Sequence, residues 1–258
     1  STDALSLYMD NGYLQARKAS TKKITPFIKE YNLNIDEFAA SPDSFTSFND
    51  FFIRHLKKEA RPIAQENNAA IIPADGRYFA YDRIENSDLF SIKGTTYTIQ
   101  KFLQDKDADR YEGGSLVLAR LCPTDCHRFF FPVDGIPGKS RLIDGKLFSV
   151  NPIAIKSNPW IFFENRRCVT YIDSKLFGRV AFVEIGATNV GSIHQTYTPF
   201  TPYTKGDEKG YFSFGGSALA IFFEPNTIKL SQDLLDNSHY LETRCLIGQT
   251  MGTSIFTS

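Results

Sequence analysis

Apolar residues recur at helical spacing in the first part of the chain, up to about Lys58. The pattern predicts three helices: the first has Thr25 as its cap and Pro26 at its first position, and the others are capped by Asn34 and Ser47. The apolar stripes of the first and third helices are Ile24, Phe27, Ile28 and Tyr31, and Phe48, Phe51, Phe52 and Leu56. Packing on the protein's own core is the favoured interpretation of these stripes, and a membrane-surface face is the alternative.

Beyond Pro62 the pattern changes to short apolar runs separated by Gly, Pro, Asp and Asn. Runs of this length that are rich in β-branched and aromatic residues predict strands. The candidate strands are residues 69–72, 78–84, 116–121, 129–133, 146–150, 168–172, 180–185 and 219–223, and residues 99–103 are a candidate helical turn. The predicted fold class is mainly β, or α+β: a helical N-terminal portion, residues 1–58, on an all-β body of barrel or sandwich type, residues 59–258.

Composition and charge limit the possible partners and the cellular location of the protein. The 29 basic and 29 acidic residues cancel, so no overall field favours a nucleic acid as partner. The four cysteines form no CxxC pair and no signal peptide is visible, which favours reduced thiols in a cytosol-facing protein. No apolar run reaches the roughly 18 residues that span a bilayer. The sequence begins at Ser1 rather than Met, so an apolar N-terminal anchor, if the protein has one, is expected outside it.

Residues 205–225 combine charge, glycine and apolar runs. They read KGDEKGYFSFGGSALAIFFEP, with apolar residues on both sides of Gly215 and Gly216. Such runs predict two buried strands, and the paired glycines predict a bend or a close backbone approach. Ser217 supplies a hydroxyl directly after this bend. Taken alone, the pattern is typical of a β-hairpin with a serine in its turn.

Five further motifs accompany this stretch. They are SFNDFFIRHLKKEARPI (47–63), PADGRY (73–78), ARLCPTDCHRFFFPVDG (119–135), GKLFSVNP (145–152) and VEIGATNVGSI (183–193). Together, and in this order, they resemble the phosphatidylserine decarboxylase family over most of the chain after about residue 25. In that family a Gly-Ser bond preceded by K-G-x-E-x-G-x-F cleaves itself and leaves a pyruvoyl group. The resemblance places this bond at Gly216–Ser217 and makes residues 217–258 the small subunit, although Ala218 stands where the family usually has Thr or Ser.

The resemblance implies a carboxy-lyase that converts phosphatidylserine to phosphatidylethanolamine and carbon dioxide. A pyruvoyl group condenses with the substrate amine and acts as an electron sink, so neither pyridoxal phosphate nor a metal is expected. The implied partners are a phospholipid substrate at a membrane surface and the chain's own small subunit, and a homodimer is left open. The implied location is peripheral, on the cytoplasmic face of a membrane.

The catalytic residues of the family map onto this chain with one departure. The aspartate of the P-A-D-G motif matches Asp75. In the motif Y-H-R-x-H-x-P the first histidine acts on the substrate and the second completes an Asp-His-Ser triad; His127 matches the first, whereas Phe130 replaces the second. Phenylalanine cannot accept a proton, and residues 127 and 130 of an extended strand face opposite sides. We therefore expect slow or absent self-cleavage, and mainly one species near the full mass of 29.1 kDa.

Several alternatives stay open on the sequence alone. Another base, His194 or Asp75 itself, could serve Ser217, and the substitution at position 130 could be introduced rather than natural. The chain could also decarboxylate a free amino acid, or be an uncleaved, non-catalytic lipid-binding relative. Arg61 and Arg128 could meet a phosphate or carboxylate, or form structural salt bridges. The substrate-binding candidates are Arg128, Phe130, Gly186, Ala187 and His194.

Overall fold

The computed structural model describes residues 12–85, 91–92, 95–96, 98–150, 161–187, 193–238 and 241–256. The α-helices in these ranges are α1 (Gly12–Gln15), α2 (Ile24–Glu30), α3 (Phe48–Phe52), α4 (Ile99–Leu103), α5 (Ile161–Glu164) and α6 (Gln232–Ser238). Short 3₁₀ segments occupy Lys18–Lys23, Ile35–Glu37, Pro42–Ser44, Lys58–Ala60 and Lys106–Tyr111. None of the helices described is long and apolar enough to cross a membrane.

Strands make up most of the regular structure after residue 68. They are β1 (Ala69–Ile71), β2 (Gly76–Tyr81), β3 (Ser91–Ile92), β4 (Thr95–Thr96), β5 (Ser115–Leu121), β6 (Arg128–Phe130), β7 (Ile136–Pro137), β8 (Arg141–Ile143), β9 (Arg167–Ser174), β10 (Gly178–Gly186), β11 (Ile193–Gln195), β12 (Glu208–Phe212), β13 (Ser217–Phe223), β14 (Ile228–Leu230), β15 (Thr243–Cys245) and β16 (Thr250–Ser254). The mainly β fold class with a short helical N-terminal part is confirmed.

An eight-stranded antiparallel sheet carries the centre of the molecule. Its order is β15-β2-β5-β13-β10-β9-β7, and β8 also pairs with β9. Three smaller sheets have the orders β1-β16-β14, β11-β12-β6 and β3-β4. These sheets are open, so the barrel alternative is wrong.

The central strand β13 is buried on both faces along its whole length. Successive side chains of a strand point to opposite faces. Leu219 and Ile221 accordingly join one hydrophobic cluster, which also contains Phe129 and Phe212, whereas Ala220 joins the cluster on the other face. The alternation places the side chain of residue 217 on the same face as Leu219. The site thus lies at the level of the core rather than in a surface loop.

The N-terminal helices pack into a third cluster. It contains Ile24, Phe27, Phe38, Phe48, Phe51, Phe52 and Phe214. Their stripes are therefore core faces, as favoured above. The caps at Asn34 and Ser47 are confirmed, since their side chains accept from the backbone N–H of Asp36 and Asp50. The cap at Thr25 is wrong: a 3₁₀ segment runs directly into α2, which begins at Ile24 with Lys23 as its cap.

Most of the expected strands are present with shifted ends. One exception is residues 146–150, where only Lys146 makes an isolated bridge, to Asn165. The side-chain amide of Asn165 takes the neighbouring backbone hydrogen bonds instead, accepting from the N–H of Phe148 and donating to its carbonyl. A side chain therefore replaces the partner strand at this edge.

Candidate active site

Ser217 begins the central strand and has neighbours on both sides. It pairs with Gly186 of β10 and with Leu121 of β5. Its side chain is fully buried, and its hydroxyl has no hydrogen-bond partner among the described residues. Leaving a buried hydroxyl unpaired costs about 1–3 kcal/mol. Because this unpaired hydroxyl lowers the stability of the fold, its buried position points to a functional role.

Gly216, directly before the serine, lies in a tightly packed place. A Cβ on Gly216 would be 3.3 Å from Cγ2 of Val150 and 3.3 Å from the Cβ of Ala187. Gly215 has a φ of +145°, which favours glycine. The pairing of Gly186 with residue 217 and the contact of Ala187 with Gly216 bring both of these predicted residues to the Gly216–Ser217 bond.

The strands on either side of the two glycines belong to different sheets. β12 pairs with β6 and β11, whereas β13 pairs with β5 and β10. The local interpretation as a β-hairpin with a turn serine is therefore wrong. Gly215 and Gly216 lie in the connection between the sheet of β12 and the sheet of β13.

His127 is fully buried, immediately before β6. Its Nδ1 is 3.0 Å from the backbone oxygen of Asp125, and its ring lies against Phe52 with 3.8 Å between centroids. Because a carbonyl only accepts, Nδ1 donates and Nε2 is left as the acceptor. Nε2 has no partner among the described residues. Burial lowers the pKa of His127 to about 3, so the imidazole is neutral near pH 7.

Asp75 is buried just before β2 and is held by Arg61. Nε of Arg61 donates to Oδ1 of Asp75 at 2.9 Å, and a terminal nitrogen donates to Oδ2 at 2.8 Å. The backbone N–H of Ile247 also donates to Oδ1, at 2.9 Å. Strand β5 separates β2 from β13, so Asp75 and Ser217 are two strand spacings apart, roughly 10 Å. Arg61 therefore supplies the hydrogen-bond donors that a histidine would otherwise offer to Asp75.

Position 130 lies beside the P-A-D-G segment. The backbone N–H of Phe130 donates to the carbonyl of Pro73 at 2.9 Å. The Phe130 side chain lines a cavity of about 720 Å³, together with Arg61 and Ile247, the two residues that bind Asp75. Position 130 therefore lies beside the P-A-D-G segment and shares a cavity with the residues that bind Asp75. The resemblance expects a histidine at this position, and Phe130 supplies no imidazole.

Two further predicted residues have structural partners. A terminal nitrogen of Arg128 donates to both carboxylate oxygens of Glu208 at 2.9 Å, which supports the salt-bridge interpretation. Nε2 of His194 is 2.8 Å from the hydroxyl of Ser213. His194 therefore contacts the hydroxyl of Ser213, four residues before Ser217, the residue for which it was a candidate base.

Sequence reasoning missed a buried ion pair on the same face of the sheet as Ser217. Nζ of Lys209 contacts a carboxylate oxygen of Glu184, and both side chains are fully buried. Lys209 also donates to Thr170 at 3.0 Å and to Gln195 at 2.8 Å. Burial lowers the pKa of Lys209, and Glu184 opposes that shift. The sequence signal for this ion pair is Glu184, the single carboxylate inside the apolar run 180–187.

The last candidate groups are the cysteines and the side chains that could bind a metal ion. All four cysteines are free. Within the described ranges, no group of three or more His, Cys, Asp or Glu side chains could hold a metal ion. Residues 151–152 and 188–192, which complete two of the sequence motifs, lie outside the described residues.

Comparison with known proteins identifies relatives along nearly the whole chain. A family profile described as phosphatidylserine decarboxylase matches residues 48–253. A phosphatidylserine decarboxylase proenzyme of Chlamydia felis (strain Fe/C-56) is 48% identical, over 95% of this chain and 82% of its own. The proenzymes of the same name from Chlamydia pneumoniae and Chlamydia muridarum (strain MoPn / Nigg) are 46% and 47% identical, over 94% and 93% of this chain and 81% of each of theirs.

One solved structure also overlaps the chain. Glucose permease IIA from Mycoplasma capricolum covers 71% of this chain and 93% of its own, with 13% identity and a TM-score of 0.33. A likeness this small carries no argument about fold or function.

Proposed function

The chain belongs to the phosphatidylserine decarboxylase family, and we propose that it converts phosphatidylserine to phosphatidylethanolamine and carbon dioxide through a pyruvoyl group made from Ser217. The relatives are named proenzymes, which supports a chain that is made whole and then cleaved. Cleavage at Gly216–Ser217 makes residues 217–258 the small subunit. Residues 1–58 form the helical unit and residues 59–258 the β-rich catalytic unit of this proposal.

The unpartnered hydroxyl of Ser217 is the observation that carries the proposal. It is fully buried, it follows the tightly packed Gly216, and Gly186 opposite it adds no side chain. A hydroxyl kept away from water and from other hydrogen-bond partners is available to attack its own main chain.

Self-cleavage of the chain uses atoms that these residues supply. The Ser217 oxygen attacks the carbonyl carbon of Gly216, its proton leaves to a base, the peptide nitrogen gains a proton, and the amide becomes an ester. Loss of the α-proton of residue 217 then expels the Gly216 carboxylate and leaves a dehydroalanine. Water converts this group to a ketone with release of ammonia.

The surroundings of residue 217 fit such a group. The side-chain carbon loses its oxygen with the Gly216 carboxylate and becomes a methyl group, in a buried place where that oxygen had no partner to lose. The ketone oxygen comes from water and stands on the former α-carbon. When present, the pyruvoyl group supplies the electron sink for loss of the substrate carboxylate. We assign His127 the handling of the substrate's proton, because its Nε2 is buried, neutral and unpartnered among the described residues.

Position 130 sets the rate of self-cleavage in this proposal. Phe130 offers no base, and Asp75 has its oxygens engaged by Arg61 and Ile247. The Ser217 hydroxyl therefore keeps its proton near pH 7, and loss of a triad member lowers rates by orders of magnitude.

We place the protein at the surface of a membrane, on its cytoplasmic face, as a peripheral protein. The proposed substrate carries acyl chains that keep it in a bilayer. The four free cysteines suit a reducing compartment.

Intact-mass spectrometry of the purified chain tests the cleavage step. We expect mainly the uncut species near 29.1 kDa, with a minor fragment 217–258 whose first residue reacts with hydroxylamine. A Ser217→Ala variant serves as control and is expected to give neither the fragment nor the reaction. Hydroxylamine trapping that persists in Ser217→Ala contradicts the assignment of the group to residue 217.

Carbon dioxide release tests the substrate. We expect release from phosphatidylserine in vesicles at a rate proportional to the cleaved fraction, and none from free serine. Release from free serine alone would move the protein to amino-acid decarboxylation. No release from either, with a cleaved and trappable chain, contradicts the proposed activity.

A further inference from the structure

The fully buried position of Ser217 raises the question of which surface meets the lipid. The proposed substrate stays in the bilayer through its acyl chains, so the surface near residue 217 has to approach the membrane. The apolar stripes of α2 and α3 do not provide this surface, because Phe27, Phe48 and Phe51 are buried in their own cluster.

Three exposed apolar side chains lie at the edge of the large sheet near this bond. Leu142 is 49% exposed, Leu147 40% and Phe148 38%; together they form what we call the edge patch. Leu142 belongs to β8, opposite Cys168, and the chain then runs on to the bridge between Lys146 and Asn165. Since those partner positions are three residues apart, the edge patch extends over roughly 10 Å.

Asn165 ties the edge patch to the strand beside the cleavage site. It is fully buried, its Oδ1 accepts from the backbone N–H of Phe148 at 2.9 Å, and its Nδ2 donates at 2.8 Å to the carbonyls of Phe148 and Gly186. Two residues after Phe148, a methyl group of Val150 packs against Gly216. The segment 147–150 thus both exposes apolar side chains and covers the Gly216–Ser217 bond, which is the proposed cleavage site.

The charge around the edge patch complements an anionic surface. Residues 139–148 and 162–166 contain the cations Lys139, Arg141, Lys146 and Arg166 and the carboxylates Asp144 and Glu164. Asp144 pairs with Arg166 and Glu164 with Lys146, each at 3.4 Å. Arg141 donates to the carbonyl of Leu103 and interacts electrostatically with Asp105. The four cations therefore face three carboxylates, which leaves one positive charge. Lys146, which is 66% exposed, lies 4.9 Å from the centroid of the Phe148 ring. Apolar side chains next to basic residues are the combination that binds the interface of an anionic bilayer.

We propose that the edge patch is the surface by which this protein docks on a bilayer containing anionic phospholipid. This inference rests on the proposed function for the choice of a lipid partner. Docking there brings the bilayer to the segment 147–150 and hence to the Gly216–Ser217 bond. Leu147 and Phe148 enter the headgroup region, and Lys146, beside the Phe148 ring, lies at the level of the phosphates.

Sedimentation with vesicles tests the proposal directly. The double variant Leu147→Gln/Phe148→Gln is compared with the unchanged chain on vesicles of phosphatidylcholine with and without phosphatidylserine. We expect the double variant to bind the mixed vesicles at least about tenfold more weakly, because two apolar side chains no longer leave water. The unchanged chain is expected to bind pure phosphatidylcholine vesicles more weakly than mixed ones. Leu142→Gln, a second variant, is expected to weaken binding in the same direction.

A matched control removes exposed apolar residues elsewhere. Leu241 is 72% exposed and Phe256 50%, both more than the residues of the tested pair. Leu241→Gln/Phe256→Gln is expected to bind vesicles as the unchanged chain does. An equal loss in the control pair, or no loss in the edge-patch variants, overturns the proposal. Sedimentation needs neither cleavage nor decarboxylation, so a failure of the proposed activity is read separately, by hydroxylamine trapping of the same samples.

Discussion

In the proposed mechanism, the side chain at position 130 decides whether the Asp-His-Ser triad is complete. The backbone N–H of Phe130 donates to Pro73, two residues before Asp75, and the Phe130 side chain lines the same cavity as Arg61 and Ile247, which bind that carboxylate. Arg61 and the N–H of Ile247 satisfy the carboxylate instead. A guanidinium stabilises the charge but does not accept a proton near neutral pH, so it cannot serve as the base.

Phe130→His is expected to restore self-cleavage. An imidazole at this place has Asp75 beside it and adds the missing base, which typically raises such rates by about 10²–10⁴-fold. The measurement is the fraction of the 217–258 fragment against time by intact-mass spectrometry. Phe130→Leu, which changes the shape without adding a base, is the control and should stay uncut. Equal cleavage of the unchanged chain and Phe130→His would remove position 130 from the mechanism.

His127 is expected to make the fold sensitive to acid. Burial lowers its pKa to about 3, against about 6.5 in an unfolded chain. Below pH 6.5 the unfolded chain binds more protons than the folded one, so the free energy of unfolding falls as the pH falls from about 6.5 toward 3. This group alone accounts for a loss of about 2 kcal/mol between pH 7 and pH 5. Urea unfolding at both pH values measures it, and His127→Gln should lack that part of the loss. Identical pH dependence in the two proteins contradicts the assignment.

Among the elements, long and mostly buried strands could be predicted from the sequence, whereas a segment whose backbone is hydrogen-bonded by a side chain could not. β5, β9, β10 and β13 are long apolar runs bounded by turn residues, and their positions follow from that pattern. Residues 146–150 show a similar composition, but the amide of Asn165 binds the backbone of Phe148 in place of a neighbouring strand. A local pattern contains no information about which distant side chain fills a backbone hydrogen bond.

The same limit applies to the site. Motifs name Gly216, Ser217, His127 and Asp75 as candidate site residues, because motifs are local, and the roles of these residues stay predictions. The pair Lys209–Glu184 joins residues 25 positions apart in two different sheets. The partner of a buried charge is set by how the sheets stack, which the pattern of apolar residues leaves undetermined.

Lys209→Met is expected to destabilise the protein by about 3–5 kcal/mol, because it leaves the buried carboxylate of Glu184 without its cation. The double variant Lys209→Met/Glu184→Leu removes both charges and should recover most of the loss. The free energies of unfolding in urea for the unchanged chain, the two single variants and the double variant form a complete cycle. Additive losses would show that the two side chains do not act as a pair.

At the scale of the whole molecule, the N-terminal helices contact the segment that leads to the proposed cleavage site. Phe214, three residues before Ser217, packs against Phe52 with 4.8 Å between ring centroids. Its backbone N–H donates to the side-chain oxygen of Asn49 at 2.8 Å. Phe52 also lies against His127. The Phe52 ring of α3 therefore contacts both the proposed proton-handling residue and the segment before the bond that is proposed to be cleaved.

Phe214→Ala tests whether this contact holds the fold only or also aligns the cleavage segment. The ring is 2% exposed, and removal of a buried phenylalanine costs about 3–5 kcal/mol in the free energy of unfolding. Phe256→Ala, at a half-exposed ring, is the control and should change stability by no more than about 0.5 kcal/mol.

We expect Phe214→Ala, placed in the Phe130→His background, also to slow formation of the 217–258 fragment at temperatures where urea unfolding shows the protein folded. The reason is that a cavity beside residues 215–216 lets the carbonyl of Gly216 move away from the Ser217 oxygen, and misplacement by about 1 Å costs about 10²-fold in rate. A loss of stability with an unchanged cleavage rate would assign the contact to the fold alone.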